Sequence, residues 1–403
     1  MTCEVAVMNK RGIALAADSA VTLGDGKKIY NTADKLFSLS PLIPVAIMTY
    51  GNADLMGVPW ETIIRSYAKR LGSRTFETLE HYAKDFLTFV EMETSLFSAE
   101  NQKYWVADLV GDVWSGLYQR KLEERMKETP NASSEIATAA LSDIIHKDHK
   151  DWTTNYANLE EVGADYGACV LKTYADVIDQ AEAKVFKGTK LTPEIRRSLR
   201  ETVRFMFEKE WFHPDVRSGV VVAGVGEEEP FPTVLDFHVG TVAANKLRYT
   251  KADEGRVSFD DDACVMPFAQ RKTIDMIFGG IHPDLRTELI DNAEHWSLGA
   301  DKMGKRRKAE QVNKREETMH NVLDEMSKRH TQPLIEAVAA LSRQDLAKMA
   351  ESLVSLTAFL MRMSVDESET VAEPIDVAVL SKGEGFIWIK HKHLVQNVGG
   401  VAS

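Results

Sequence analysis

Two short runs constrain the fold of this chain more than any other feature. Residues 13–17 carry no polar side chain, and residues 375–380 carry one, Asp376. Apolar runs of that length between turn signals read as strands buried on both faces. A strand that is dry on both sides needs material above it and below it. Two packed sheets, each covered on its outer face by helices, meet that need.

The remaining periodicity supplies those layers in order. Residues 4–8 predict a strand, Asn9 to Gly12 a turn, and residues 13–17 a second strand ending on a carboxylate, Asp18. A loop rich in Gly and Lys leads to Lys35, followed by strand-like runs at 36–39 and 45–49 and a turn at Gly51. Leu55, Val58, Ile63, Ile64 and Tyr67 fall near helical spacing up to Gly72, and Phe76, Leu79, Tyr82, Phe86 and Val90 mark a second helix. Residues 95–217 are helical in pattern, with Ser133 or Ser134 as one N-cap and Thr192-Pro193 opening another helix. Strands return at 219–225 and 233–239, and runs at 247–250 and 256–259 read as a hairpin turning at Ala252-Asp253-Glu254-Gly255.

Beyond them, residues 270–278 predict a helix stopped by Gly279-Gly280, and residues 282–332 a charged helical insertion. Residues 333–363 read as a long amphipathic helix with a cap-like Ser342-Arg343-Gln344-Asp345 inside it, and 375–380 with 386–389 as a closing hairpin. The expected organisation is one α+β domain in three pieces, 1–94, 218–281 and 333–403, with helical insertions at 95–217 and 282–332.

Composition narrows the function classes. An apolar fraction of 44% and a charged fraction of 27% are those of a soluble globular chain. No apolar run reaches the about 20 residues that span a bilayer. Asp18 also sits where a signal-peptide cleavage region would begin, so no membrane association and a cytoplasmic location are expected. The net charge of -12 argues against nucleic acid as a partner, and the basic run 302–308 reads as a solvated helix face. Cys3, Cys169 and Cys264 are too scattered for a disulfide framework or a thiolate zinc site, and Cys3 reads as a small core residue.

His146 with His149, and His391 with His393, each lack a third ligand at convincing spacing, so no metal is expected and these read as surface histidines. Gly224-Val225-Gly226 lacks the third glycine of a dinucleotide fingerprint, and no P-loop is present. No cofactor is expected, and any ATP dependence would come from a separate ATPase partner.

The first 54 residues carry the most specific signal. Thr2-Cys3-Glu4-Val5-Ala6-Val7, Gly12-Ile13-Ala14-Leu15-Ala16-Ala17-Asp18-Ser19, Asp34-Lys35-Leu36 and Met48-Thr49-Tyr50-Gly51-Asn52-Ala53-Asp54 follow one another in a fixed order and spacing. In this stretch the chain resembles the start of a proteasome β-type subunit, the group of N-terminal-nucleophile (Ntn) hydrolases that includes HslV and Anbu. The resemblance implies a four-layer αββα Ntn-hydrolase sandwich, here with large helical insertions. It also implies a threonine-type endopeptidase acting on a peptide or protein substrate, in a homo-oligomer that forms a ring around its active sites.

The site residues follow from the same resemblance. Thr2, exposed once Met1 is removed, would attack through Oγ with its own α-amine as base, whose ordinary pKa is about 7.7–8.0. Lys35 would be the cation that favours the free amine and the alkoxide, and Asp18 would hold Lys35. The N–H of Gly51, or of Tyr50 before it, would face the oxyanion. The chain departs from the family pattern in three places. Tyr50-Gly51 replaces a Gly pair, Val265-Met266-Pro267-Phe268 stands where relatives carry Ser-Gly, and the Gly pair that follows an assisting Asp and Ser near the end is missing, so Asp366 and Ser368 read as surface-loop residues before they read as substitutes for that Asp and Ser. A catalytically inactive Ntn-fold scaffold and a non-ring amidohydrolase for small amides are therefore the alternative functions.

Overall fold

In the computed structural model, which describes residues 2–23, 28–30, 33–128, 133–291, 305–363 and 374–392, the chain opens with β1 (Cys3–Asn9) and β2 (Gly12–Asp18), antiparallel across a tight turn. The short pair β3 (Val21–Leu23) and β4 (Lys28–Tyr30) comes next, then β5 (Leu36–Ser40), β6 (Ile43–Gly51), and the two-residue strands β7 (Asp54–Leu55) and β8 (Val58–Pro59). Helices α1 (Trp60–Leu71) and α2 (Leu79–Met92) lead into a helical stretch. It comprises α3 (Ala99–Trp114), a π-helical turn at Ser115–Gln119, α4 (Arg120–Lys127), α5 (Ser134–Asn155), α6 (Tyr166–Thr173), α7 (Ala175–Val185) and α8 (Pro193–Glu208). Four long strands follow: β9 (Ser218–Gly224), β10 (Thr233–Ala243), β11 (Lys246–Arg256) and β12 (Ala263–Ala269). Helices α9 (Lys272–Gly279), α10 (Pro283–Asp291), α11 (Lys305–Ala340) and α12 (Arg343–Met363) precede the closing hairpin of β13 (Ile375–Ser381) and β14 (Gly385–Lys390).

Among the described residues the long strands form two five-stranded antiparallel sheets, ordered β12-β1-β2-β13-β14 and β11-β10-β9-β6-β5. The alternation of side chains along a strand explains why β1 and β2 tolerate no exposed face. Ala6, Met8, Ile13, Leu15 and Ala17 pack against Ala46, Met48, Val221 and Ala223 of the second sheet. The intervening Cys3, Val5, Val7, Ala14 and Ala16 pack against Leu346, Ala350 and Val354 of α12. On the second sheet the outer residues Val45, Ile47, Val220 and Val222 meet Ile63, Tyr67, Phe86 and Val90 of α1 and α2. The protein is thus a mixed α and β fold of antiparallel sheets and many helices. Among the described residues, no helix is long and apolar enough to cross a membrane.

Helices α3 to α8 gather around a core of their own, containing Val110, Trp114, Tyr118, Ile178, Leu199 and Phe207, and meet the second sheet at Ala243. Arg248 of β11 fastens the end of this stretch. Its guanidinium lies 5.3 and 5.1 Å from the rings of Phe207 and Phe212 and donates through Nη2 to the carbonyls of Lys209 (3.3 Å) and Trp211 (2.7 Å). Complete burial lowers its pKa to about 10.

Two expectations are corrected. The hairpin expected at residues 252–255 is instead one continuous strand, β11, pairing along β10 with a bulge between Asp236 and Phe237. The turn lies earlier, at Ala244 and Asn245, both with left-handed φ (48° and 58°). Gly255 serves close packing rather than a turn, because a Cβ there would lie 2.2 Å from Met266 Sδ. Nor does a helix begin at Pro333. Helix α11 runs through that proline to Ala340, and the break comes where Ser342 Oγ accepts the N–H of Asp345 at 3.2 Å. The carbonyls at the end of α11 are taken by side chains of the first turn. Asn9 Nδ2 donates to Val338 and Leu341, and Arg11 Nη1 to Ala339, Ala340 and Leu341. A helix end so well satisfied outweighs the single hydrogen bond that a proline removes. Residues 130–132, the side chains of 302–308, Asp366, Ser368 and His393 lie outside the described residues.

Candidate active site

Strand β1 sets the site. Its period of two places Thr2 and Glu4 on the same face as Ala6 and Met8, the face turned to the second sheet. Thr2 is 5% exposed, and its carbonyl accepts the N–H of Gln270 at 3.1 Å. Asp18 ends β2 beside it, since Glu4 pairs with Ala17. Among the described residues, the Asp18 carboxylate accepts Cys3 N at 3.0 Å and Lys35 Nζ at 2.6 Å on Oδ1, and Ala20 N at 3.0 Å on Oδ2. The residue therefore opens the turn after β2 and anchors a buried lysine at once.

Lys35 is held by its backbone before its side chain is considered. Thr49 N of β6 donates to its carbonyl at 2.8 Å, and Ala33 N donates to Ser19 O at 3.3 Å. From the other end of the chain, Lys392 Nζ donates to Ala33 O at 2.9 Å while ion-paired with Asp34 (2.7 Å) and Asp376 (2.6 Å). The ammonium of Lys35 then reaches inward, at 5% residue exposure, to lie 2.6 Å from Asp18 and 3.4 Å from Glu4 Oε1.

Glu4 is the member of this cluster that the sequence reading passed over. It is fully buried, and its Oε2 accepts the hydroxyl of Thr2 at 3.2 Å. Burial drives its pKa up; Lys35 and the Thr2 hydrogen bond pull it back and Asp18 pushes it up, leaving it at about 8. The available signal was a lone charged residue in an otherwise apolar strand, two positions from Thr2. Cys3, on the opposite face, is buried as expected; its desolvation, with Glu4 nearby, pushes the thiol far up, so it offers no thiolate nucleophile.

Gly51 ends β6 with φ 77°, a conformation suited to glycine, and its Cα lies against Arg217, whose carbonyl would be 2.9 Å from an added Cβ. Side-chain contacts join Thr2, Glu4, Asp18 and Lys35, and Gly51 follows two residues after the Thr49 whose N–H holds the Lys35 carbonyl. Tyr50 fills the space above Gly219, where a Cβ would come within 2.0 Å of its ring. The ring stacks on Phe268 at 6.0 Å, and the hydroxyl donates to both oxygens of Asp236, at 3.0 and 2.8 Å. Burial raises Asp236 to about 6, against the opposing pull of that hydrogen bond.

His149 and His391 are more engaged than their surface reading allowed, while His146 is exposed as expected. His149 Nε2 lies 3.0 Å from Thr202 Oγ1 and is half-buried, which lowers its pKa. His391 stacks on Trp388 at 4.1 Å and meets Asp376 at 3.1 Å. Among the described residues no group of three or more His, Cys, Asp or Glu side chains is placed to hold a metal ion.

Chemically the cluster offers a hydroxyl, one ammonium and two carboxylates, shielded from water at the start of the chain. The nitrogen of Thr2 lies in the Met1–Thr2 peptide bond and becomes an amine once Met1 is removed.

No family model matches the chain, and no curated protein does. Among solved structures it is similar to an Anbu (Gly-1) mutant from Hyphomicrobium sp. strain MC1, with 10% identity, a TM-score of 0.29, and 100% of this chain and 99% of that one covered. It is likewise similar to Anbu (ancestral beta-subunit) from Yersinia bercovieri, with 12% identity, a TM-score of 0.28, and coverage of 98% and 89%. A second Hyphomicrobium Anbu structure gives 11% identity and a TM-score of 0.27, with 100% and 98% covered. At these values the likeness carries no argument, and the functional reading stands on the geometry of the Thr2 cluster.

Proposed function

We propose that this chain is a threonine-type amide-bond hydrolase, a proteasome-like peptidase of the four-layer Ntn architecture, with Thr2 as its nucleophile after removal of Met1. The observation that carries the reading is Lys35: a lysine buried between the carboxyl groups of Asp18 and Glu4, the second of which accepts the hydroxyl of Thr2. Burying such a group costs several kcal/mol, so a chain gains little from it as structure alone. Beside a nucleophile it has a use. The ammonium favours the neutral form of the Thr2 amine and the negative charge that develops on Oγ, and Asp18 fixes the ammonium in place.

In this mechanism Oγ attacks the substrate carbonyl as its proton passes to a base of the site, the N–H of Gly51 or of Tyr50 takes the oxyanion, and that proton is handed on to the leaving amine as the C–N bond breaks. Water then hydrolyses the threonine ester. Peptides or proteins are the proposed substrates, a homo-oligomeric ring the proposed assembly, and a separate ATPase the proposed source of any energy dependence. The pieces 1–94, 218–281 and 333–403 form the proposed hydrolase domain, with 95–217 and 282–332 as its insertions. Intact-mass measurement followed by comparison of wild type with Thr2→Ala on peptide and small-amide substrates tests the reading. A chain beginning at Thr2 whose hydrolysis is lost in Thr2→Ala supports it. Retained Met1, or hydrolysis unaffected by the substitution, contradicts it.

A further inference from the structure

We propose that Glu4 is a catalytic residue of this site: its carboxylate accepts the proton of Thr2 Oγ during attack, in place of the α-amine. This inference rests on the reading of Thr2 as nucleophile and deepens it. The placement follows from backbone geometry rather than from a flexible approach, because residues i and i+2 of one strand share a face. Glu4 Oε2 accepts from Thr2 Oγ1 at 3.2 Å, and Oε1 lies 3.4 Å from the Lys35 ammonium with no hydrogen-bond partner among the described residues. One oxygen thus sits on the reacting hydroxyl and the other on the cation. Lys35 already has Asp18 at 2.6 Å, so Glu4 adds a second carboxyl group to a cation whose charge is already matched. A structural role would be served as well by a neutral amide of the same shape.

Burial, the Lys35 cation, Asp18 and the Thr2 hydrogen bond set the proton affinity of Glu4, and Tyr50 also faces it. Asp18 comes from β2, Lys35 from the approach to β5, and Tyr50 from β6 with Asp236 of β10 bonded behind it. Cys3 faces the opposite side of β1. Removal of Met1 adds the α-amine of Thr2. Burial holds the Glu4 pKa above the ordinary carboxylate range, so its carboxylate form grows as pH rises.

The step balances. As the Oγ–C bond forms, the Oγ proton moves to Glu4 and the carbonyl pair moves to oxygen. As the oxyanion collapses, the C–N bond breaks and Glu4 returns that proton to the leaving nitrogen. In the second half Glu4 takes a proton from the attacking water and gives it to Thr2 Oγ as the ester bond breaks.

The test is the rate at which a β-lactone probe acylates Thr2, followed by intact mass from about pH 6 to about pH 10, in wild type, Glu4→Gln and Glu4→Asp. Wild type is expected to accelerate with pH and level off. Glu4→Gln keeps the α-amine, yet is expected to acylate about 100-fold more slowly and to lose the rising limb. Glu4→Asp retains a carboxylate and is expected to retain a limb, displaced in pH; it carries the test if Glu4→Gln does not fold. Glu4→Gln acylating at the wild-type rate with the limb intact overturns the inference alone and leaves the amine as base. A limb in Glu4→Asp superimposable on that of wild type also overturns it. Absence of acylation in wild type overturns this inference together with the reading beneath it.

Discussion

Lys35 has no solvent to fall back on, which makes it the residue whose loss should be felt most. Lys35→Ala leaves Asp18 and Glu4 facing each other in a dry site without their shared cation. Removing one partner from a buried ionic group costs about 3–5 kcal/mol, and a shift of that size is expected in urea denaturation. Glu4 makes a second prediction through pH. Its pKa is raised in the folded state, from 4.5 to about 8, so between those values the folded chain holds a proton that the unfolded chain has released. Stability should therefore fall as pH climbs through that window, with no penalty below it. Glu4→Gln should flatten the slope, read as urea midpoints at about pH 5 and about pH 9.

At this scale the neighbourhood of Thr2, Asp18 and Lys35 was legible as a pattern of order and spacing. Glu4 was not. Its significance lies in a cross-strand meeting with Lys35, which arrives from the other sheet, and no local pattern encodes that meeting.

Strand and helix identities were largely readable because the apolar runs of β1, β2 and β13 leave little choice of setting. Turn chemistry misled where glycine served packing, as at Gly255, and where proline was tolerated, as at Pro333. The pairing of β6 with β9 offers a sharper test of how elements fit. Tyr50 occupies the space that a side chain at position 219 would need, and its hydroxyl keeps Asp236 from being buried without a donor. Gly219→Ala should push Tyr50 off Asp236 and cost at least about 1–3 kcal/mol, the usual cost of overpacking. Combining it with Tyr50→Ala should cost clearly less than the two single changes added, since one clash and one hydrogen bond are shared between them. Strict additivity in a double-mutant cycle would show that the ring does not sit where it is described.

Across the whole molecule, a mixed fold of antiparallel sheets and many helices was foreshadowed by strands that had to be dry on both faces. The fastening of the end of the helical stretch was not, because it uses Arg248, the one buried residue among the six charged residues of β11, and no sequence pattern set it apart from the other five. Arg248→Met keeps much of the stem between Phe207 and Phe212 but leaves the Lys209 and Trp211 carbonyls without their donor. A loss of about 1–3 kcal/mol is expected in urea denaturation. Whether copies of the chain assemble is a question for sedimentation. Helix α12 presents Leu356, Phe359, Leu360 and Met363 along one exposed side, with Phe359 at 54% exposure. The proposed homo-oligomer predicts a species several times the 45.1 kDa chain mass.

Labelling with a threonine-directed epoxyketone, followed by peptide mapping of the modified chain, probes the nucleophile more directly than any of these. Such a probe is captured by a hydroxyl and an amine on the same residue. The expected result is a single adduct on a chain that begins at Thr2, lost in Thr2→Ala. A chain that begins at Thr2 and stays unlabelled, or carries its label elsewhere, would contradict the assignment of Thr2 as the attacking group.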